Sequence, residues 1–164
     1  MSINVDAQYL ATVEMENGGS FVIELLPKSA PQTVNSFVFL ARNGWFDGVS
    51  FHRVLSGFVA QTGDPSGTGQ GGPGYTIPNE IDPALSHREP GMVAMANAGP
   101  DTNGSQWYIT LADASQLDGS YTLFGRVIEG MDVVQAITPR DPSTDPTAPT
   151  GDLIRQITIE EIEP

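Results

Sequence analysis

The stretch Phe51-His52-Arg53-Val54-Leu55-Ser56-Gly57-Phe58-Val59-Ala60-Gln61-Thr62-Gly63-Asp64 contains the chain's strongest candidate for chemistry, Arg53. A guanidinium keeps its charge, carries several donors in a rigid fork, and seldom sits among apolar neighbours without a partner or a task. Two readings stand on these residues alone. Arg53 either pairs with a carboxylate or snorkels to water, or it is aimed at something that binds beside it. Runs of β-branched, aromatic and long apolar residues on both sides of Ser56-Gly57 predict two short strands joined by a tight turn. Strand alternation puts Phe51, Arg53 and Leu55 on one face with His52 and Val54 on the other, and sets Phe58, Ala60 and Thr62 opposite Val59 and Gln61. His52 is then expected to be a hydrogen-bonded core residue.

Other chemistries find little support. The chain has no cysteine and two histidines, which leaves no metal cluster and no nucleophilic triad to build. No metal and no cofactor are expected. Gly67, Gly69 and Gly72 satisfy G-x-G-x-x-G, but a dinucleotide site needs a helix to begin there, and Pro73, Gly74 and Pro78 forbid it. Asn103-Gly104-Ser105 fits a glycosylation acceptor that has no meaning without a secretory route. A formal net charge of −13 argues against nucleic acid as a partner. The acidic residues are scattered, as on a solvated surface, and favour basic client peptides weakly at most. His87, in a polar stretch between Pro83 and Pro90, reads as exposed.

Three segments in register carry a resemblance: FHRV-x-x-GFV-x-Q-x-GD at 51–64, MANAGPDTNGSQWYIT at 95–110 and LDGSYTLFGRV at 117–127. Together they resemble the cyclophilin family of peptidyl-prolyl cis–trans isomerases, from about Leu10 to Ile159. The resemblance implies that Arg53, Gln61 and Phe58 are catalytic, with Gln61 holding the peptide carbonyl. It implies a proline-ring pocket of Phe58, Val59, Tyr108 and Leu117. It also implies an extended peptide bound along the backbone of Asn97 with Ala96, Ala98 and Gln106 beside it, and a flanking loop contact at Gly69. Proline-containing peptides and client proteins would be the partners. The family commonly has methionine and phenylalanine where this chain has Val59 and Tyr108. Tyr121 stands where many members have histidine, so a donor to substrate survives without its charge option. Gln116 replaces the tryptophan associated with tight cyclosporin binding, which implies weak inhibition by that class of drug. The competing reading is a proline-peptide-binding or chaperone module with little turnover; the match at Arg53, Phe58, Gln61 and Leu117 favours catalysis.

An Xaa–Pro amide resists rotation by about 18–20 kcal/mol because its C–N bond has partial double-bond character, and uncatalysed exchange takes roughly tens to hundreds of seconds. No bond breaks, so a catalyst need only favour the twisted amide over the planar one. Twisting returns a localised lone pair to nitrogen, and a fixed cation or donor aimed there strengthens as the twist develops. About 7 kcal/mol of such preference gives roughly a 10⁵-fold acceleration.

The elements that must position these residues follow the same patterning. Ala11, Val13 and Met15, then Phe21, Ile23 and Leu25, alternate around Asn17-Gly18-Gly19 as a hairpin. Ser29-Ala30-Pro31-Gln32 has capping-box spacing, and Val34, Phe37, Val38 and Ala41 form an apolar helical stripe ended by Gly44. A chain without an insertion after Gly48 resembles the compact, bacterial-type cyclophilins. Residues 75–90 read as loop, 91–96, 105–110 and 121–127 as strands, and 112–119 as a turn or 3₁₀ piece. Residues 129–137 read as a short helix, 139–151 as a surface loop, and Ile157 and Ile159 mark a last strand. The expectation is one mainly β domain over 1–164, with 1–6 a flexible arm: a closed eight-stranded antiparallel barrel capped by two helices. With 164 residues such a domain buries about two thirds of its unfolded surface. No apolar run approaches a membrane span and no secretion signal is visible, so a cytoplasmic monomer is the simplest expectation.

Overall fold

The first hairpin forms where apolar and polar residues alternate. In the computed structural model of the protein, which describes residues 2–164, β1 (Gln8–Met15) and β2 (Ser20–Leu25) run antiparallel with Ala11 opposite Ile23 and Val13 opposite Phe21. The inward-facing members of both strands, Tyr9 to Met15 and Phe21 to Leu25, are buried, so each strand supplies one apolar face. β3 (Arg53–Leu55), β4 (Val59–Thr62), β5 (Met92–Met95), β6 (Trp107–Thr110), β7 (Leu123–Glu129) and β8 (Ile154–Ile162) complete a sheet of order β3-β4-β6-β5-β7-β2-β1-β8. All seven pairings are antiparallel.

The sheet curls into a barrel that is not fully closed, in contrast to the expectation. Its edge strands β3 and β8 do not pair along their length; single bridges at Ser50–Leu153 and Val54–Arg140 tack the gap instead. The reason lies in the loop before β8. The main chain of Arg140 exchanges hydrogen bonds with Val54 at 2.8 and 2.9 Å, which satisfies and blunts the short β3 edge.

Two helices cover the ends. α1 (Pro31–Arg42) buries Val34, Phe37, Val38, Leu40 and Ala41, and Phe37 packs at 5.6 Å edge-on to Trp107 and at 5.4 Å to Phe124. The expected capping box is not formed. Ala30 is the N-cap, and the Ser29 hydroxyl donates to Asp82 instead. The free N–H groups of Gln32 and Thr33 donate to the carboxylate of Glu80 at 3.1 and 2.7 Å, and the Thr33 hydroxyl adds a third bond at 2.8 Å. A negative charge at a helix N-terminus is favourable in its own right. Glu80→Ala is therefore expected to lower unfolding free energy by about 1 kcal/mol, read as a shifted urea midpoint at constant m-value. α2 (Met131–Gln135) is shorter than the reading over 129–137 because β7 runs on to Glu129.

Within the stretch read as an arm, Ser2 and Ile3 are tied to α1, Asn4 bonds Tyr9 and Glu163, and Asp6 pairs with Lys28. The amides of Ser2 and Ile3 donate to Asn35 Oδ1 at 2.9 and 3.3 Å, and Ile3 is buried. No helix among the described residues is long and apolar enough to cross a membrane.

Within β6 the alternation separates two clusters. Trp107 and Ile109 point into the main core with Phe21, Phe46 and Phe51. Tyr108 points the other way, into a second cluster with Val59, Ala94 and Leu123, onto which Phe58, Leu117 and Tyr121 pack.

Candidate active site

The hairpin of β3 and β4 turns at Ser56-Gly57, with Gly57 at φ +72° and the Phe58 amide donating to Leu55 O at 3.0 Å. Its register sets Arg53 directly opposite Gln61. The strands begin at Arg53 and Val59, not at Phe51 and Phe58, and this corrects the expected faces. The Phe51 amide donates to Asp152 O at 2.9 Å, outside the β3–β4 ladder. Phe51 consequently packs edge-on to Trp107 at 6.1 Å, in the core with Val54, and not beside Arg53. Phe58 joins Val59 in the second cluster instead of opposing it. His52 is buried as expected but is not hydrogen-bonded through Nδ1, which has no partner. Burial lowers its pKa, and the charges of Arg140 and Arg53 add to that against an opposing pull from Asp64.

Arg53 forms no ion pair among the described residues, which removes the carboxylate-pair reading. Its Nη1 donates to Gln61 Oε1 at 3.3 Å. Gln61 Nε2 donates to Gln106 Oε1 at 3.0 Å, and Gln106 Nε2 donates to the carbonyls of Gly69 and Gly71 at 3.0 and 3.2 Å. The guanidinium is thus oriented by a run of amides that ends in the loop after β4.

That loop is wrapped around one buried acid. Asp64 accepts from Ser66 N, Ser66 Oγ, Gly69 N and Gly71 N at 2.7 to 3.0 Å. Burial alone would raise its pKa; these four bonds outweigh burial and hold it at about 2. A side chain at Gly71 would collide with this carboxylate. Of the G-x-G-x-x-G glycines, Gly69 donates to this carboxylate and Gly67 to the Asp64 main chain, whereas Gly71 lies outside the match; no helix begins there.

Arg53 and Gln61 stand at the rim of a cavity of about 380 Å³. Phe58, Val59, Tyr108, Leu117 and Tyr121 form its largely apolar wall, and Ala96, Asn97 and Gly69 border it. A second, open cavity of about 710 Å³ shares Gln61, Gly69, Ala96 and Asn97 with the first and continues past Ala98 and Gln106. Together they make a groove with the smaller cavity as a recess at one end. Gln116, on the 3₁₀ turn Ser115–Leu117, is exposed and lines neither cavity. Along the groove, Ala96 N donates to Gln106 O, Ala98 N to Thr102 Oγ1 and the Asn97 side chain to Ser120 O. The main chain of Asn97 enters none of these bonds.

Sequence reasoning missed three lining residues, His52, Thr68 and Pro142. Pro142 comes from the 139–151 loop, pinned by Arg140, whose side chain donates to Pro149 O and His52 O at 2.7 Å each. It also misjudged His87, which is fully buried and not exposed. Its ring bonds Asp118 and Tyr108, both remote in sequence, at 2.7 Å each, and local polarity gives no sign of such partners. Burial pushes the Tyr108 hydroxyl well above its usual range, with Tyr121 and Asp118 adding to it, so Tyr108 stays neutral.

No group of three or more metal-ligating side chains occurs among the described residues. What the site offers is a fixed cation and amide donors beside an apolar recess. Comparison with known proteins agrees. A family model described as cyclophilin type peptidyl-prolyl cis-trans isomerase/CLD matches residues 10–163. A peptidyl-prolyl cis-trans isomerase-like 1 of Rhizopus delemar is 52% identical over 120 residues, 71% of this chain and 73% of that one. Another from Aspergillus fumigatus is 45% identical over 147 residues, 87% of this chain and 91% of that one. The crystal structure of a cyclophilin type peptidyl-prolyl cis-trans isomerase from Cryptosporidium parvum superposes with a TM-score of 0.83 at 32% identity, covering 93% of this chain and 98% of that one. A structure of the same protein in the presence of the dipeptide Ala-Pro gives 0.82 at 33% identity, covering 92% and 98%. The curled eight-stranded sheet, the amide-oriented arginine and a match spanning nearly the whole chain converge: this chain belongs to the cyclophilin-type peptidyl-prolyl cis–trans isomerase family.

Proposed function

We propose that the protein is a peptidyl-prolyl cis–trans isomerase that seats a proline ring in the recess beside Arg53 and rotates the preceding amide. The observation that carries this reading is a guanidinium with no ion pair among the described residues, held by Gln61 beside a cavity of about 380 Å³ that has an apolar and aromatic wall. As the amide twists, its nitrogen regains a lone pair, and a pre-oriented donor from Arg53 strengthens with that change. Gln61 holds the substrate carbonyl, so that the acyl side turns about a fixed ring. The extended peptide lies along the main chain of Asn97 between Ala96 and Ala98, with Gln106 and Gly69 flanking. Tyr121 offers a hydroxyl at the pocket mouth. The reaction needs no cofactor, and the substrates are exposed Xaa–Pro segments of client chains met by a monomer.

A protease-coupled assay on an Xaa-Pro peptide tests the reading. Acceleration of cis-to-trans exchange over the uncatalysed rate supports it; binding of proline peptides without acceleration overturns it and leaves a recognition module. The same assay tests the drug site. Gln116→Trp places an indole next to Leu117 on the cavity wall and is expected to tighten cyclosporin inhibition about tenfold, a typical gain for one well-packed aromatic. Unchanged inhibition would place the drug-contacting surface elsewhere.

A further inference from the structure

We propose that His87 is a positioning residue for the proline pocket: with Asp118 behind it, His87 fixes the hydroxyl of Tyr108 so that Tyr108 presents its ring, and no free donor, to the pocket. The proposal rests on the isomerase reading for its substrate, but its physical content is a proton assignment within three side chains.

The assignment follows from what each atom can do. Asp118 accepts from Ser86 Oγ at 2.6 Å, His87 N at 2.7 Å and His87 Nδ1 at 2.7 Å. Its carboxyl is held at about 2, chiefly by the Ser86 hydroxyl, so it is ionised and accepts without donating. His87 Nδ1 therefore carries a proton. In a neutral imidazole that leaves Nε2 with its lone pair, 2.7 Å from the Tyr108 hydroxyl. Against that lone pair the protonated Tyr108 hydroxyl is the donor. The order is Tyr108 O–H to His87 Nε2, then His87 Nδ1–H to Asp118. The rings are fixed as well: His87 stacks on Tyr108 at 5.9 Å and 20°, and Tyr121 stands edge-on to Tyr108 at 5.8 Å and 84°. Tyr108 and Tyr121 both line the recess, whereas His87 does not and is reached through Tyr108.

Without an acceptor at position 87, the Tyr108 hydroxyl is a buried donor without a partner, a costly state that it relieves by turning toward the recess or recruiting water there. Either outcome makes the recess less apolar and weakens proline binding without touching Arg53. The decisive comparison is His87→Phe made in the parent and in a Tyr108→Phe background, reading kcat and KM for isomerisation and, by calorimetry, the Kd of an Ala-Pro-containing peptide. In the parent, His87→Phe is expected to raise KM and Kd about tenfold with kcat within about twofold. In the Tyr108→Phe background it is expected to leave both constants where Tyr108→Phe alone puts them, because the orphaned hydroxyl is gone. An equal rise in both backgrounds, or none in the parent, overturns the proposal. His87→Gln, which restores an acceptor oxygen, should recover most of the loss. Nitrogen-15 NMR of the unaltered protein decides independently of any variant's folding: a neutral His87 protonated on Nδ1 alone supports the proposal, and a proton on Nε2, in the neutral ring or in an imidazolium, overturns it. Absence of turnover would refute the isomerase reading while the Kd comparison and the tautomer still decide the role of His87.

Discussion

Arg53→Ala lowers kcat/KM for an Xaa-Pro peptide by a factor of about 10² to 10³, the usual loss when one pre-oriented donor to a transition state is removed, and leaves the unfolding midpoint almost where it was. The two halves of this expectation have separate causes. Among the described residues, half-buried Arg53 makes a single side-chain hydrogen bond at 3.3 Å and forms no ion pair, so little stability depends on it. The same isolation leaves its charge available to a twisted imide nitrogen. Loss should fall on kcat more than on KM, because the interaction grows only as rotation proceeds. Arg53→Lys is expected to recover a small part, since an ammonium keeps the charge but not the planar fork that Gln61 orients. The protease-coupled assay reads both variants, and parent-like turnover in Arg53→Ala would remove the assigned mechanism.

Asp64→Ala has the largest expected effect on stability, about 3 kcal/mol, because it leaves the Gly69 and Gly71 amides and the Ser66 donors without an acceptor. Activity should fall about tenfold alongside, since the carbonyls of Gly69 and Gly71 hold Gln106 and through it Gln61. Acid reports on the same group. Its folded-state value of about 2 lies below the ordinary 3.8, so the stabilisation is present in full above pH 4 and is lost as pH falls through about 2. It amounts to about 2 kcal/mol. Urea titrations at pH 7 and pH 2.5 check it: the parent loses about two thirds of this increment between the two, and Asp64→Ala, having no such carboxylate, loses correspondingly less.

Sequence pattern sufficed wherever the deciding partner was near in the chain. Alternation around Gly18 gave the first hairpin, Ser56-Gly57 gave the turn that sets Arg53 opposite Gln61, and the helical stripe of Val34, Phe37, Val38 and Ala41 gave the buried face of α1. It failed where the partner was remote. α1 is capped by Glu80 and not by Ser29, because the Glu80 loop brings a full carboxylate to the free amides. Phe51 faces the core because Asp152 takes its amide, and His87 is buried because Asp118 and Tyr108 satisfy both ring nitrogens. The barrel stops short of closure because a loop residue, Arg140, occupies the edge of β3. The recess wall was legible by resemblance at Phe58, Val59, Tyr108 and Leu117; Pro142 was not, since a proline in a polar loop carries no local mark of what it faces.

The pairing of β1 with β8, Gln8 opposite Ile162, also sets a timetable. These partners lie roughly 150 residues apart, about 8 to 30 seconds of ribosomal synthesis at about 5–20 residues per second. Until β8 emerges, β1 presents a row of unpaired backbone groups beside the greasy Tyr9–Ala11–Val13 face, the kind of surface that nascent-chain chaperones shield. The sheet of this cyclophilin-family chain is thus completed late, by the strand made last among its eight.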